Sequence, residues 1–307
     1  MRAIALHEVG TAPRLTEVPE RAPGPDQLLV RVAASSVNGF DIAVIDGWIR
    51  AFMEYRFPVV LGKDFAGTVE AVGEGVSRFA VGDRVFGVVM TPTVGEDGGF
   101  AEHVVVGEAY GVAAVPDGMD LAAAGALGLA GSAARTALDM LPLAAGKTLL
   151  VSGATGGVGA IAVQYASAAG VRVIGTARAG DEEAFVREMG AEHTVDWSGD
   201  LAAEIREIAP DGVDAVLHLA DDPQRLVGLL TPGGSLASTL MFGPDQHPAA
   251  VSVIADPQQS TLDRLAADVV AGRLRVPVTR TFALEDVPEA LEDFRKGTVG
   301  KFAVAVG

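Results

Sequence analysis

The chain contains no cysteine, and its 23 lysines and arginines face 40 aspartates and glutamates. Without cysteine there can be no disulfide, no iron–sulfur cluster, no thiolate zinc ligand and no cysteine nucleophile. A net charge of −17 with no basic stripe repels nucleic-acid phosphates and anionic membrane surfaces, so neither is expected as a partner. No apolar run approaches the roughly 20 residues that span a bilayer. The opening Met1-Arg2-Ala3-Ile4-Ala5-Leu6 reads as a short strand and not as a signal peptide, so a cytoplasmic location is expected. The five histidines are scattered, and no metal site is expected from them.

What the chain does have is apolar mass, 49% over 307 residues, enough for two domains with cores of their own. Up to about residue 118 it reads as all-β. Short valine-rich runs are separated by turn clusters such as Pro23-Gly24-Pro25-Asp26, Gly73-Glu74-Gly75 and Glu96-Asp97-Gly98-Gly99, a pattern that suggests a barrel-like module. An Ala-rich helix is then predicted over 121–141. Alternating strands and helices follow, with strands near 148–152, 171–176, 193–196, 213–219, 234–239 and 250–254, the pattern of a parallel sheet covered on both faces. The chain closes with an amphipathic helix over 262–271 and a hairpin-like pair of strands with a short helix over 291–296, a tail placed to return to the first domain.

The richest stretch is 149–159, where Leu149-Leu150-Val151-Ser152 runs into Gly153-Ala154-Thr155-Gly156-Gly157-Val158-Gly159. A pyrophosphate needs close backbone approach and N–H donors at a helix N-terminus, which such glycines leave open. Ala154 stands where the usual first glycine would be. An apolar helix, a capping Gly170 and the β-rich 171–176 complete a βαβ unit. At the end of that second strand, an enzyme selective for NAD usually places an acid on the ribose 2′-hydroxyl. Here the residues are Thr176, Ala177 and Arg178, leaving room for a 2′-phosphate and a guanidinium to hold it, so NADPH is expected over NADH. Asp181, Glu182 and Glu183 are near enough in sequence to compete for that guanidinium.

The pieces Val37-Asn38-Gly39-Phe40-Asp41, 61–69, 81–87, the glycine turn, Leu230-Thr231-Pro232-Gly233-Gly234 and Val299-Gly300-Lys301-Phe302 together resemble the zinc-independent medium-chain dehydrogenase/reductases, close to quinone oxidoreductases and ζ-crystallins. The resemblance implies a Rossmann doubly wound parallel-sheet domain over 123–258. A GroES-like β-barrel domain over 1–122 would be closed by a return of 259–307. Where the family's zinc enzymes place their first cysteine this chain has Asn38, and the Gly-His-Glu stretch reads Gly62-Lys63-Asp64, so no catalytic zinc is expected.

Without a Lewis acid, alcohol oxidation is disfavoured. Reduction of an already polarised acceptor, a quinone or an α,β-unsaturated carbonyl, by hydride transfer in the interdomain cleft is the activity implied. An enoyl or alkenal reductase, or a crystallin-like NADPH-binding protein without relevant turnover, are the alternatives. Within this resemblance Asn38 is expected to hydrogen-bond the acceptor carbonyl and Lys63 to stabilise negative charge on it. Asp41 and Asp64 would position these groups or relay protons, and Tyr55 would serve as a proton donor. Besides the glycine turn, cofactor contacts are expected from Ser132, Leu219, Ala220, Ser238 and Thr239, with Lys301 at the phosphates. A homodimer is implied, built on the apolar run 251–255 as a sheet edge.

Overall fold

Leu28, Val30 and Val32 are buried while Arg31 between them is exposed, an alternation that sets Gln27–Ser36 as a ten-residue strand. It organises the first of two units in the computed structural model, which describes residues 1–307. That unit comprises Met1–Leu129 together with Pro257–Gly307; the second comprises Ala130–Asp256. Asp64–Val72 pairs antiparallel along one edge of the strand. The opposite edge is shared. His103–Gly107 takes the first half, and Lys301–Ala305, from the far end of the chain, takes Ala34, Ser35 and Ser36. The C-terminal tail therefore completes the first unit's main sheet, which has seven strands.

The tail is not a hairpin. Val278–Ala283 and Lys301–Ala305 run parallel, joined by a crossover through the helix Val287–Arg295, because a parallel pair needs a long connection and the helix packs back on the sheet. Phe282, Phe294 and Phe302 meet there, with Phe302 5.5 Å and 6.4 Å from the other two rings. They join a continuous apolar core with Ile4, Phe65 and Phe100.

In the second unit six parallel strands cover Thr148–Ser152, Arg172–Thr176, His193–Val195, Val213–His218, Leu230–Ser238 and Ala250–Ser252. Numbered in chain order they lie side by side as 3-2-1-4-5-6, the doubly wound arrangement with its reversal of direction beside the first strand. The fifth strand begins at Leu230, earlier than the residues alone indicate, with a register irregularity between Val213 and Ala215 on its neighbour.

The helix expected over 121–141 is broken into Leu121–Ala124 and Gly128–Asp139. A Cβ at Gly125 would stand 2.7 Å from the Ala34 carbonyl, and one at Gly128 would stand 2.8 Å from the Gly87 oxygen. Both glycines are where the helical chain presses on strand backbone, and the chain kinks between them. No helix is long and apolar enough to cross a membrane.

Candidate functional site

The first unit buries an unusual density of charge where the strand Gln27–Ser36 ends. Asn38 starts the helix Gly39–Ile45, and the Asp41 carboxylate reaches back to accept the Asn38 N–H at 2.9 Å, the return half of a capping box. The other Asp41 oxygen accepts the Gly62 N–H at 3.0 Å. The Asn38 side chain turns away from its own helix. Its amide donates to Ser36 O at 3.0 Å and to Asp64 Oδ2 at 2.8 Å, and its Oδ1 accepts from Lys301 Nζ at 2.6 Å.

Asp64 gathers the rest: its Oδ2 also accepts the Ser36 hydroxyl at 2.5 Å and lies 3.6 Å from Lys301 Nζ, while its Oδ1 accepts the Leu129 N–H at 2.7 Å. Lys301 donates further to Val37 O at 3.0 Å. Asn38, Asp41, Asp64 and Lys301 are each 7% exposed or less.

Three expectations change here. Both Asn38 amide hydrogens are committed inside the protein, so Asn38 has no donor left for an acceptor carbonyl. Lys301 is not held out to cofactor phosphates, because the residue is 3% exposed and its ammonium is bound by three oxygens of the first unit. Tyr55 also has a prior engagement: its hydroxyl donates to Val44 O at 3.0 Å, and burial raises its pKa above the ordinary 10.0.

Lys63 is different. It is only partly buried, donates one hydrogen bond to Val89 O, and sits 4.7 Å from the Phe40 ring centroid. Burial pulls its pKa down to about 8 against the opposing pull of Asp41 and Asp64, and burial pushes Asp41 up to about 7. Burial also lowers Lys301, with Asp64 and Asp41 opposing.

These donors do not fit a zinc ion. The cluster offers two ammonium groups, the Asn38 and Asp64 oxygens are already held by Lys301, and nowhere do three or more His, Cys, Asp or Glu residues come together as a ligand set.

In the second unit the strand Thr148–Ser152 enters the turn through Gly153 at φ +85°. Gly156 then heads the helix Gly157–Ala168 with no side chain capping its first amides. A Cβ on Gly159 would lie 2.3 Å from Gly153 O, so only glycine lets the helix start this close to the strand. Ala154 is fully buried beneath the turn, where a Cβ on Gly175 would stand 3.0 Å from its own. Thr155, Gly157 and Val158 lie on the partly exposed side.

The Thr176 hydroxyl accepts the Gly153 N–H at 2.9 Å, tying the second strand to the turn, and Ala177 follows buried. Arg178 is exposed, and its guanidinium is taken by Glu182, which also accepts the Arg178 N–H at 2.9 Å; the Trp197 ring lies 5.9 Å away. Leu219 and Ala220 close over Gly153, their Cβ atoms 3.1 and 3.3 Å from where its own would be. Ser238 is buried, and Thr239 donates its N–H to His218 O at 3.2 Å. Ser132 is fully buried with an unpartnered hydroxyl. A naked helix N-terminus, a cradle that a Cβ would fill and an orphaned hydroxyl fit a nicotinamide dinucleotide.

Sequence reasoning passed over Ser36 and His218. His218 is 2% exposed, with Nδ1 2.9 Å from Ser238 Oγ and Nε2 3.1 Å from Asp221 O, and burial lowers its pKa. For His218 the available signal was position, since it ends a strand at the C-terminal edge of the doubly wound sheet, where such sheets bind ligands; Ser36 ends an antiparallel strand and carried no such signal.

Residues 24–117 match the alcohol dehydrogenase GroES-like domain family, and residues 157–262 the zinc-binding dehydrogenase family. A quinone oxidoreductase of Lama guanicoe is 30% identical, over 98% of this chain and 96% of its own. A mycocerosic acid synthase-like polyketide synthase of Mycobacterium tuberculosis is 40% identical over 67% of this chain, but the chain spans only 10% of that relative's length. The solved quinone oxidoreductase of Coxiella burnetii superposes with a TM-score of 0.90 at 26% identity, covering 100% of this chain and 99% of that one. The chain therefore belongs to the medium-chain dehydrogenase/reductase family, in its quinone oxidoreductase-like branch, a family of nicotinamide-dependent oxidoreductases.

The raised Asp41 pKa carries a stability signature. Its fold-favouring contribution is fully present below the ordinary 3.8 and is lost as pH rises through about 7. Asp41→Asn removes that titration, so the melting temperature of the variant should gain on that of the wild type between pH 4 and pH 7.5. Thermal unfolding followed across this range checks it, and a constant difference would overturn the assignment.

Proposed function

We propose that the chain is an NADPH-dependent, metal-independent reductase of a quinone or another α,β-unsaturated carbonyl. The observation that carries this reading is the pairing of a donor set unfit for zinc with one half-buried lysine of the cluster whose ammonium makes a single hydrogen bond, Lys63. A polarised acceptor gains a proton and loses none, so it needs no Lewis acid to deprotonate it; it needs a positive group where negative charge develops on oxygen. Lys63 fills that role, with one of its three N–H donors on Val89 O and the others available.

Bound NADPH supplies the hydride. The amides heading the helix Gly157–Ala168 would hold its pyrophosphate, Ser132 would take a polar group of the nicotinamide, and Arg178 would take the 2′-phosphate. The exposed rings of Trp48 and Phe52, at 72% and 68%, lie on the segment that follows the helix Gly39–Ile45 and suit an apolar acceptor.

A second reading, reduction of an enoyl thioester, is favoured by the 40% likeness to polyketide synthases. One assay separates the two. NADPH oxidation measured with chelator present should proceed with quinones or simple enones. A marked preference for enoyl thioesters selects the second reading, and activity abolished by chelator sinks both.

Cofactor choice has its own check. NADPH should bind at least about ten-fold more tightly than NADH, since losing a charge-assisted contact costs about 1.5–3 kcal/mol. Because Glu182 holds Arg178 in the free protein, Glu182→Gln should widen the gap and Arg178→Ala narrow it. Equal affinities for the two dinucleotides would refute the assignment.

The second unit's sheet ends at Ala250–Ser252. Val253 N–H points inward, donating to Ser238 O at 2.7 Å, so by alternation the amides of Ser252 and Ile254 face the open edge. Ile254, Met241 and Leu240 beside it are 74%, 53% and 51% exposed. We infer that this edge joins two copies into a homodimer. Ile254→Asp should shift sedimentation toward monomer without unfolding the chain; a wild-type chain that is monomeric at micromolar concentration rules it out.

A further inference from the structure

Between the helix Gly39–Ile45 and the Gly62–Lys63 turn lies a cavity of about 20 Å³, room for one water molecule. Phe40, Val89 and Thr91 wall it, and two ionisable side chains of opposite kind border it, Asp41 and Lys63. They make no direct ion pair. Each Asp41 oxygen accepts one backbone N–H and no side-chain cation, and the Lys63 ammonium is fixed on Val89 O.

The other charges around the cavity are already paired. Asp97, on its far wall, is bound to Arg21, and Asp64 and Lys301 pair with each other behind Asp41. Tyr55 is committed to Val44 O. Asp41 and Lys63 are therefore the two groups at this cavity whose charge no direct partner fixes.

We propose that Asp41 and Lys63 are the proton reservoir of the reduction, with Lys63 the proton donor and Asp41 the relay that reloads it across one water. The proposal rests on the reductase reading above. The hydride, with its two electrons, that bound NADPH would supply leaves an oxygen anion on the reduced acceptor. A lone pair on that oxygen takes a proton from Lys63 as the N–H bond breaks, leaving a neutral amine. The amine takes a proton from the bridging water, the water takes the Asp41 carboxyl proton, and Asp41 regains one from solvent. Burial brings the two groups close, at about 8 and about 7, so both can exchange a proton near neutrality.

The test has two arms. In protein without cofactor or acceptor, NMR of isotopically labelled lysine should show Lys63 titrating near 8. Asp41→Asn, checked for folding by circular dichroism, should lower that midpoint further by removing the negative charge that holds it up. A midpoint at the ordinary lysine value, or one indifferent to Asp41→Asn, overturns the proposal.

In turnover, Lys63→Arg keeps the positive charge but cannot release a proton. It should lose kcat as severely as Lys63→Met, about 10²- to 10⁴-fold, with KM little changed. If Lys63→Arg retains kcat, the group acts by charge alone and the reservoir is refuted. Failure of the wild type to oxidise NADPH with any acceptor overturns the reductase reading and the proposal with it, whereas a normal Lys63 midpoint in an active enzyme overturns the proposal only.

Discussion

The Lys301 ammonium, sunk among Val37 O, Asn38 Oδ1 and Asp64, is the contact on which the first unit's chemistry depends. Burying a charge costs several kcal/mol unless it is paired and hydrogen-bonded, and removing one partner of such a pair costs about 3–5 kcal/mol. The chain meets the cost with three oxygens, two from the Val37–Asn38 link between a strand and a helix and one from the start of the strand Asp64–Val72. It thereby fixes the register in which Lys301–Ala305 closes against Ala34–Ser36. The same contact sets which way the Asn38 amide points, because an oxygen facing an ammonium leaves the nitrogen to face Asp64. A tethered cation thus holds the oxygens a metal would otherwise need.

With Lys301 spent on structure, the reactivity we propose falls to the other lysine. Lys301 has three acceptors and no room to change partners; Lys63 has one acceptor, partial access to solvent and an aromatic face beside it. Two lysines in one cluster are separated by how completely their hydrogens are used, one a brace and the other the donor we propose. Asp64 and Asp41 divide the same way. Asp64 is bound by Ser36, Asn38, Lys301 and Leu129, whereas Asp41 keeps only two backbone contacts and so keeps the freedom to titrate.

What was legible in the sequence was what is local. The glycine turn, its helix and the flanking strands appear close to where 149–176 puts them, because close backbone approach leaves few residue choices within a dozen positions. The roles of Asn38 and Lys301 were not legible, since their partnership joins residues 263 apart and no spacing rule reaches so far. The kink at Gly125–Gly128 was hidden for a related reason, as the Ala34 and Gly87 backbones that force it are distant in sequence. The parallel tail looked like a hairpin because strand–helix–strand texture does not carry direction until the partner strand is known.

The nucleotide turn shows the same principle at shorter range. Thr176, read as room beside a ribose, uses its hydroxyl on Gly153 N–H and so couples the end of the second strand to the phosphate turn itself. Arg178 is ordered in advance by Glu182 four residues on, a geometry that lowers the entropy of presenting a guanidinium while giving any incoming phosphate a competitor. Selectivity at this position is the difference between two anions for one cation. Under the proposed NADPH preference, a doubly charged phosphate would win over the carboxylate only by the margin that charge and bidentate geometry allow, so the carboxylate would tune the preference that the arginine creates.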